Sequence, residues 1–138
     1  HQHTPEVEQA LSLASGKTVK ISFTPILAPM PRGILSTITA RLSVSMDTEK
    51  VHSLFSSFYK NDYFVDVLPI GQMPKTGSLT GSNKIQMQVA VDEHTHRLVI
   101  SVAIDNLGKG AASQAIQNAN LMCGFHEGAG LSTDGLGA

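Results

Sequence analysis

A chain of 138 residues with a hydrophobic fraction of 41% is long enough for one domain with a real core. A net charge of −1, aromatics at only 5% and no Trp exclude an electrostatic nucleic-acid binder and a base-stacking platform. The single Cys123 excludes an internal disulfide and suits a reducing compartment. No apolar run reads as a membrane span or a secretory signal.

The chain begins on His1-Gln2-His3-Thr4-Pro5-Glu6 without an initiator Met, so we expect it to be one part of a longer protein. Thr4 is a capping type, Pro5 suits a first helical turn, and Val7, Ala10, Leu11 and Ala14 fall at helical spacing up to Gly16, which predicts a helix over 4–15. Val19, Ile21 and Phe23 alternate with polar residues and predict a strand with one buried face. Pro25, Pro29, Pro31 and Gly33 then break regular structure in a loop that carries Arg32. Alternation from Ile34 to Val44 predicts a long strand, and Asp47 caps a helix whose stripe is Val51, Leu54, Phe55 and Phe58.

A short strand follows over 63–68, then a polar loop over 69–82 with room for one brief strand. The alternating runs 85–91 and 98–104 flank Asp92-Glu93-His94-Thr95-His96 and predict an antiparallel hairpin. Residues 110–125 carry no charge and many small side chains, which predicts a helix covered on every side. One domain of this size can hardly cover a terminal helix all round, so part of its surface is expected to meet another domain or subunit. The Gly-rich tail 128–138 carries little order signal. The expected class is α+β: a mostly antiparallel or mixed sheet with helices packed on one face.

Several groups carry candidate chemistry. His1, His3 and Glu6 supply two imidazoles and a carboxylate at the mouth of a helix. Imidazole titrates near neutral pH, and a carboxylate can fix its tautomer and strengthen it as a base. The residues alone leave three readings open: a His–Glu general base, two ligands of a metal site whose other ligands are not visible nearby, or a solvated helix start or tag remnant. Arg32 suits bidentate binding of a phosphate or carboxylate, or is simply an exposed loop residue. Asp105-Asn106-Leu107-Gly108-Lys109-Gly110 joins an apolar strand to the charge-free helix, as a ligand-binding junction or as a capping turn. Cys123 reads as a structural thiol. His52, His94 and His96 read as solvated. Residues 76–78 and 81–83 match no phosphate-loop pattern.

Three segments taken together carry a resemblance: His1 to Gln9, Phe23-Thr24-Pro25 through Pro31-Arg32-Gly33-Ile34, and Ala103 to Ala112 running on to Gln117-Asn118-Ala119-Asn120-Leu121. Their order and spacing resemble the C-terminal, catalytic and dimerisation domain of the N-acetyl-gamma-glutamyl-phosphate reductases, over essentially the whole chain. The resemblance implies reduction of N-acetyl-γ-glutamyl phosphate to the semialdehyde with NADPH, in arginine biosynthesis and in the cytoplasm, through a cysteine thioester. It implies His3 as base and acid, Glu6 orienting it, and His1 as substrate contact or alternative base. It also implies Arg32 near the substrate and Asn106 near the nicotinamide, with no metal. The partners it implies are an acyl phosphate, the protein's own N-terminal Rossmann domain and a second subunit, with no nucleic acid and no membrane. The Rossmann domain and the nucleophilic cysteine have no counterpart in these 138 residues, and Cys123 does not match the nucleophile. The charge-free helix is then expected to pack on the Rossmann domain. Nearby alternatives are reductases of the lysine-biosynthesis or aspartate-semialdehyde type, a module for dimerisation or ligand binding without catalysis, and a metal-binding domain using His1 and His3.

Overall fold

Alternation in three segments produces three strands of one sheet, and the computed structural model, which describes residues 1–136, shows how they pair. The chain divides into two units, His1–Met30 and a larger one from Pro31 onward. In the larger unit β1 (Ile34–Arg41), β3 (Ile85–Asp92) and β4 (Arg97–Ile104) pair antiparallel, while β2 (Val65–Val67) joins β3 in parallel, giving the order β1-β4-β3-β2. The sheet is therefore mixed.

Register follows the apolar face. Ile38, Ile100 and Val89 stand side by side across the three antiparallel strands, as do Ser36, Val102 and Met87. Opposed residues point to the same side, so one face of the sheet is almost wholly apolar. Helix α2 (Thr48–Tyr59) covers that face over β2 and β3. Val51, Met87 and Val89 form the buried centre, with Phe55, Tyr59, Leu98, Ile100 and Val102 packed round it. Burial of each such side chain is worth about 1.5–3 kcal/mol. The α2 cap is as its residue type predicts: Asp47 Oδ1 accepts from Lys50 N at 2.8 Å.

The β3–β4 connection is organised by Asp92. Its carboxylate accepts from His94 N, Thr95 N and Thr95 Oγ1 and so turns the chain within four residues. The loop 69–82 contains a single 3₁₀ turn, Gly77–Leu79, rather than a strand. It is tied to the sheet by Gln86 Oε1, which accepts from Lys75 N at 3.1 Å and Ser78 Oγ at 3.3 Å.

Four further expectations are corrected. Residues 18–23 have no strand partner; they run beside the first helix, α1 (His3–Ser15), where Glu8 Oε1 accepts from Ile21 N and Ser12 Oγ accepts from Val19 N. Thr4 lies inside α1 and caps nothing, and the N-cap position is Gln2. The helix expected from 110 begins earlier, at a wide turn, Gly108–Ala112, that includes Lys109 and is closed by Gly110 N donating to Asp105 O and Ala112 N to Leu107 O, and it becomes α-helical only over α3 (Ser113–Met122). The tail is ordered up to residue 136: Asn83 N donates to Ser132 O and Leu136 N to Thr80 O. Residues 137 and 138 of that predicted tail lie outside the described residues.

Gly33 enters β1 at φ 101°, and a Cβ there would stand 2.6 Å from Thr76 Cβ. Gly33→Ala is expected to cost more than about 1 kcal/mol, because the conformation and the contact both exclude a side chain. Denaturant unfolding of the chain measures this; an unchanged midpoint contradicts it.

Candidate active site

The first unit holds the histidines. His1 and His3 are both exposed, with ring centroids 4.7 Å apart, and His1 Nδ1 accepts from His3 N at 3.1 Å. Phe23 lies against the His1 ring at 5.4 Å. The pairing engages the His1 ring through Nδ1 and leaves Nε2 as its other ring nitrogen. Glu6 sits one turn along α1, exposed, and among the described residues it makes no hydrogen bond to either imidazole. The carboxylate that is engaged here is Glu8, whose two oxygens take Ile21 N and Lys20 Nζ, each at 3.1 Å. The backbone donor, helped by Lys20, holds the Glu8 carboxyl below the ordinary range.

The second unit brings Arg32 and Asn106 together round the carboxylate of Asp105, the first residue of the junction expected to be a ligand-binding segment or a capping turn. Asp105 directly follows β4 and is completely buried. Its Oδ1 accepts from Arg32 Nε at 2.9 Å, Leu107 N at 2.9 Å and Gly108 N at 3.2 Å. Its Oδ2 accepts from Arg32 Nη2 at 2.8 Å and Gly81 N at 2.6 Å. Burial disfavours the charged carboxylate and is the largest single influence on it. Arg32 and the three backbone donors together outweigh burial and hold Asp105 well below the usual carboxylate range. The adjacent Asn106 accepts from Gly33 N through Oδ1 at 2.7 Å. Gly108 is required by close approach, since a Cβ would lie 3.0 Å from Ser82 O and 3.3 Å from the Asp105 carboxyl. Leu107, at the N-cap position, and Gly108, the first residue of the wide helical turn 108–112, both direct their N–H groups at Asp105.

A second polar cluster lies behind the junction. Gln117 is buried; its Oε1 accepts from Asn83 Nδ2 at 2.9 Å and Lys109 Nζ at 2.6 Å, and its Nε2 donates to Glu127 at 2.7 Å. Lys109 also stands 5.3 Å from the centre of the Phe64 ring, and burial lowers its pKa. Asn83 Oδ1 is buried and unpartnered among the described residues. These side chains anchor α3 to the loop before β3.

Other candidates fall away from these two places. Cys123 is exposed rather than buried. His52 is partly buried and its Nε2 lies 2.9 Å from Leu68 O, so it is a structural contact between α2 and the end of β2, not a solvated side chain. Among the described residues no three His, Cys, Asp or Glu side chains converge as a metal site. A cleft of about 650 Å³ lies beside Tyr59, Asp62, Tyr63 and Asp66 and contains none of the sequence-predicted residues. No helix among the described residues is long and apolar enough to cross a membrane.

The missed residue is Asp105. Its signal was present: an aspartate ending an apolar strand must find a cation or several donors when buried. Its cation, Arg32, and one backbone donor, Gly81, however, are 73 and 24 residues away.

Residues 1–106 match the family described as semialdehyde dehydrogenase, dimerisation domain. Among curated proteins, the chain is 50% identical over 136 residues to the N-acetyl-gamma-glutamyl-phosphate reductase of Acidothermus cellulolyticus, covering 99% of this chain and 40% of the relative. It is 51% identical over 132 residues to the protein of the same name from Pelobacter propionicus, covering 96% and 38%. The chain thus spans about two fifths of the length of these relatives. Among solved structures, aspartate semialdehyde dehydrogenase II from Vibrio cholerae superposes with a TM-score of 0.55 at 21% identity, over 67% of this chain and 27% of that one, a likeness of fold.

Proposed function

The chain belongs to the semialdehyde dehydrogenase dimerisation domain family, and from that premise we propose that it is the C-terminal part of an NADPH-dependent N-acetyl-γ-glutamyl-phosphate reductase. The observation that carries this reading is identity of about half over nearly the whole chain to relatives of that name. The remaining three fifths of such a protein then supply the dinucleotide-binding fold and the nucleophilic cysteine. The protein works in the cytoplasm in arginine biosynthesis.

In this reading the cysteine thiolate of the N-terminal domain attacks the acyl carbon, and phosphate leaves with the electron pair of the broken C–O bond. His3 takes the thiol proton and later returns one as the thiolate is released with the aldehyde. Glu6, one turn away on α1, orients His3 once substrate is bound, and His1 contacts substrate or substitutes as base. Arg32 binds a substrate oxygen. Asn106 fits a nicotinamide carboxamide, because its Oδ1 is taken by Gly33 N and its Nδ2 is the group left to donate. The bound nicotinamide supplies the hydride.

Exposed apolar residues support both expected partners. Ile34, Leu35 and Ile38 of edge strand β1 and Leu54 and Phe58 of α2 are exposed, which suits self-association. Ile116, Leu121 and Met122 of α3, with Phe125 beyond it, are also exposed and are the surface we assign to the N-terminal domain. The chain alone is expected to show no NADPH-dependent turnover, whereas the complete gene product that carries it reduces the acyl phosphate. Turnover by the isolated chain, or a gene with no strand–Gly-rich loop–helix unit and no cysteine before His1, contradicts the proposal.

A further inference from the structure

We propose that Asp105 is the positioning residue of the substrate site: it occupies the Nε/Nη2 edge of the Arg32 guanidinium, so that the two Nη1 hydrogens and the second Nη2 hydrogen are what is left for the ligand. The inference rests on the reading of Arg32 as a substrate contact and adds a residue and a geometry to it. Two adjacent pairs of residues are locked crosswise: Arg32 donates through Nε and Nη2 to Asp105, and Gly33 N donates to Asn106 Oδ1. Two parallel N–H···O bonds fix the plane of a guanidinium as well as its distance. The carboxylate is itself immobile, since Leu107 N, Gly108 N and Gly81 N hold it from three directions.

What is left over defines the site. Among the described residues, neither Arg32 Nη1 nor Asn106 Nδ2 has a hydrogen-bond partner within the protein, and the Arg32 side chain is 35% exposed. Arg32 cannot swing away to grip a ligand with its full fork, because that would strand the fully buried Asp105 carboxylate without its cation. The ligand therefore meets the Nη1/Nη2 end of the guanidinium, already oriented. A fixed donor removes the ordering cost that a free arginine would add to binding. The Nε/Nη2 edge is spent on Asp105 and is not available to a ligand.

The test uses the complete reductase carrying this chain and three variants: Arg32→Gln, Asp105→Asn and the double replacement. Arg32→Gln is expected to raise KM for the acyl phosphate about tenfold or more, the effect of one charged hydrogen bond. Asp105→Asn raises the same KM by a similar factor while KM for NADPH holds, and the double variant is no worse than Arg32→Gln alone. Multiplying effects in the double variant mean that Asp105 acts independently and overturn the proposal. So does an unchanged KM in folded Asp105→Asn. If Arg32→Gln leaves KM unchanged, the substrate assignment of Arg32 falls and the proposal falls with it. Should Asp105→Asn fail to fold, the wild-type protein decides through arginine-selective nitrogen NMR. The Arg32 Nε–H resonance is expected to keep its shift and exchange protection when substrate is added. Loss of that protection shows the guanidinium leaving Asp105 and overturns the proposal.

Discussion

Replacing Asp105 with alanine is expected to lower the stability of the chain by about 3 kcal/mol or more, since one change leaves a guanidinium and three backbone N–H groups without their acceptor. The loss is large because the five bonds join three segments: the loop that ends at Arg32, the turn at Gly81 and the start of the helical turn at Gly108. Denaturant unfolding at neutral pH measures it, and a loss below about 1 kcal/mol contradicts the hub described here. The pH dependence has a definite sign. The folded carboxyl lies well below its ordinary 3.8, so the unfolded chain binds the proton first. The stabilisation is complete above the unfolded value and declines as pH falls from about 5 through 3.8 and further towards the folded value. The wild-type protein is expected to lose stability over that range, and the alanine variant to lack this component.

His3→Ala in the complete reductase is expected to lower kcat by about a hundredfold to ten-thousandfold, the usual contribution of a positioned acid–base group. KM for NADPH is expected to stay within about twofold, because a group that acts only in proton transfer adds nothing to cofactor binding. His1→Ala should cost less. The His1 ring nitrogen that accepts from His3 N helps to set the N-terminal turn, and a water can take over that bond. Steady-state kinetics with each substrate varied separately distinguish the cases. Equal loss in kcat and in cofactor binding removes His3 from the role of proton carrier.

The parts of the fold that were legible in sequence are those fixed by local periodicity. The hairpin of β3 and β4 was readable because both strands alternate and Asp92 supplies the turn. Helix α2 was readable from Asp47 and the stripe that begins at Val51. The same alternation at 18–23 misled, because period two shows which side chains share a face and not whether a partner strand exists. Ser12 and Glu8 satisfy the N–H groups of Val19 and Ile21 instead. Alanine content predicted a helix from 110, but its first turn is wide, closed by Gly110 N to Asp105 O and Ala112 N to Leu107 O, and begins at Gly108.

The candidate site divides along the same line. His1 and His3 were legible because they adjoin in the chain. Arg32 and Asn106 were legible as residue types, but what brings them together was not. The Arg32–Asp105 and Gly33–Asn106 bonds each span 73 positions, and no local pattern encodes them. The network of Asn83, Lys109, Gln117 and Glu127 escaped for the same reason. Polar residues in a charge-free helix read as one side of a surface until their partners are known.

Phosphate-dependent reduction of NADP⁺ by the complete gene product, supplied in turn with N-acetylglutamate semialdehyde and with aspartate semialdehyde, decides whether the protein is an N-acetyl-γ-glutamyl-phosphate reductase. Turnover is expected with both phosphate and N-acetylglutamate semialdehyde present, with a kcat/KM at least about a hundredfold above that for aspartate semialdehyde, a margin within reach of a site with several oriented polar contacts. Equal or greater kcat/KM for aspartate semialdehyde, or no phosphate-dependent turnover with either, would contradict it.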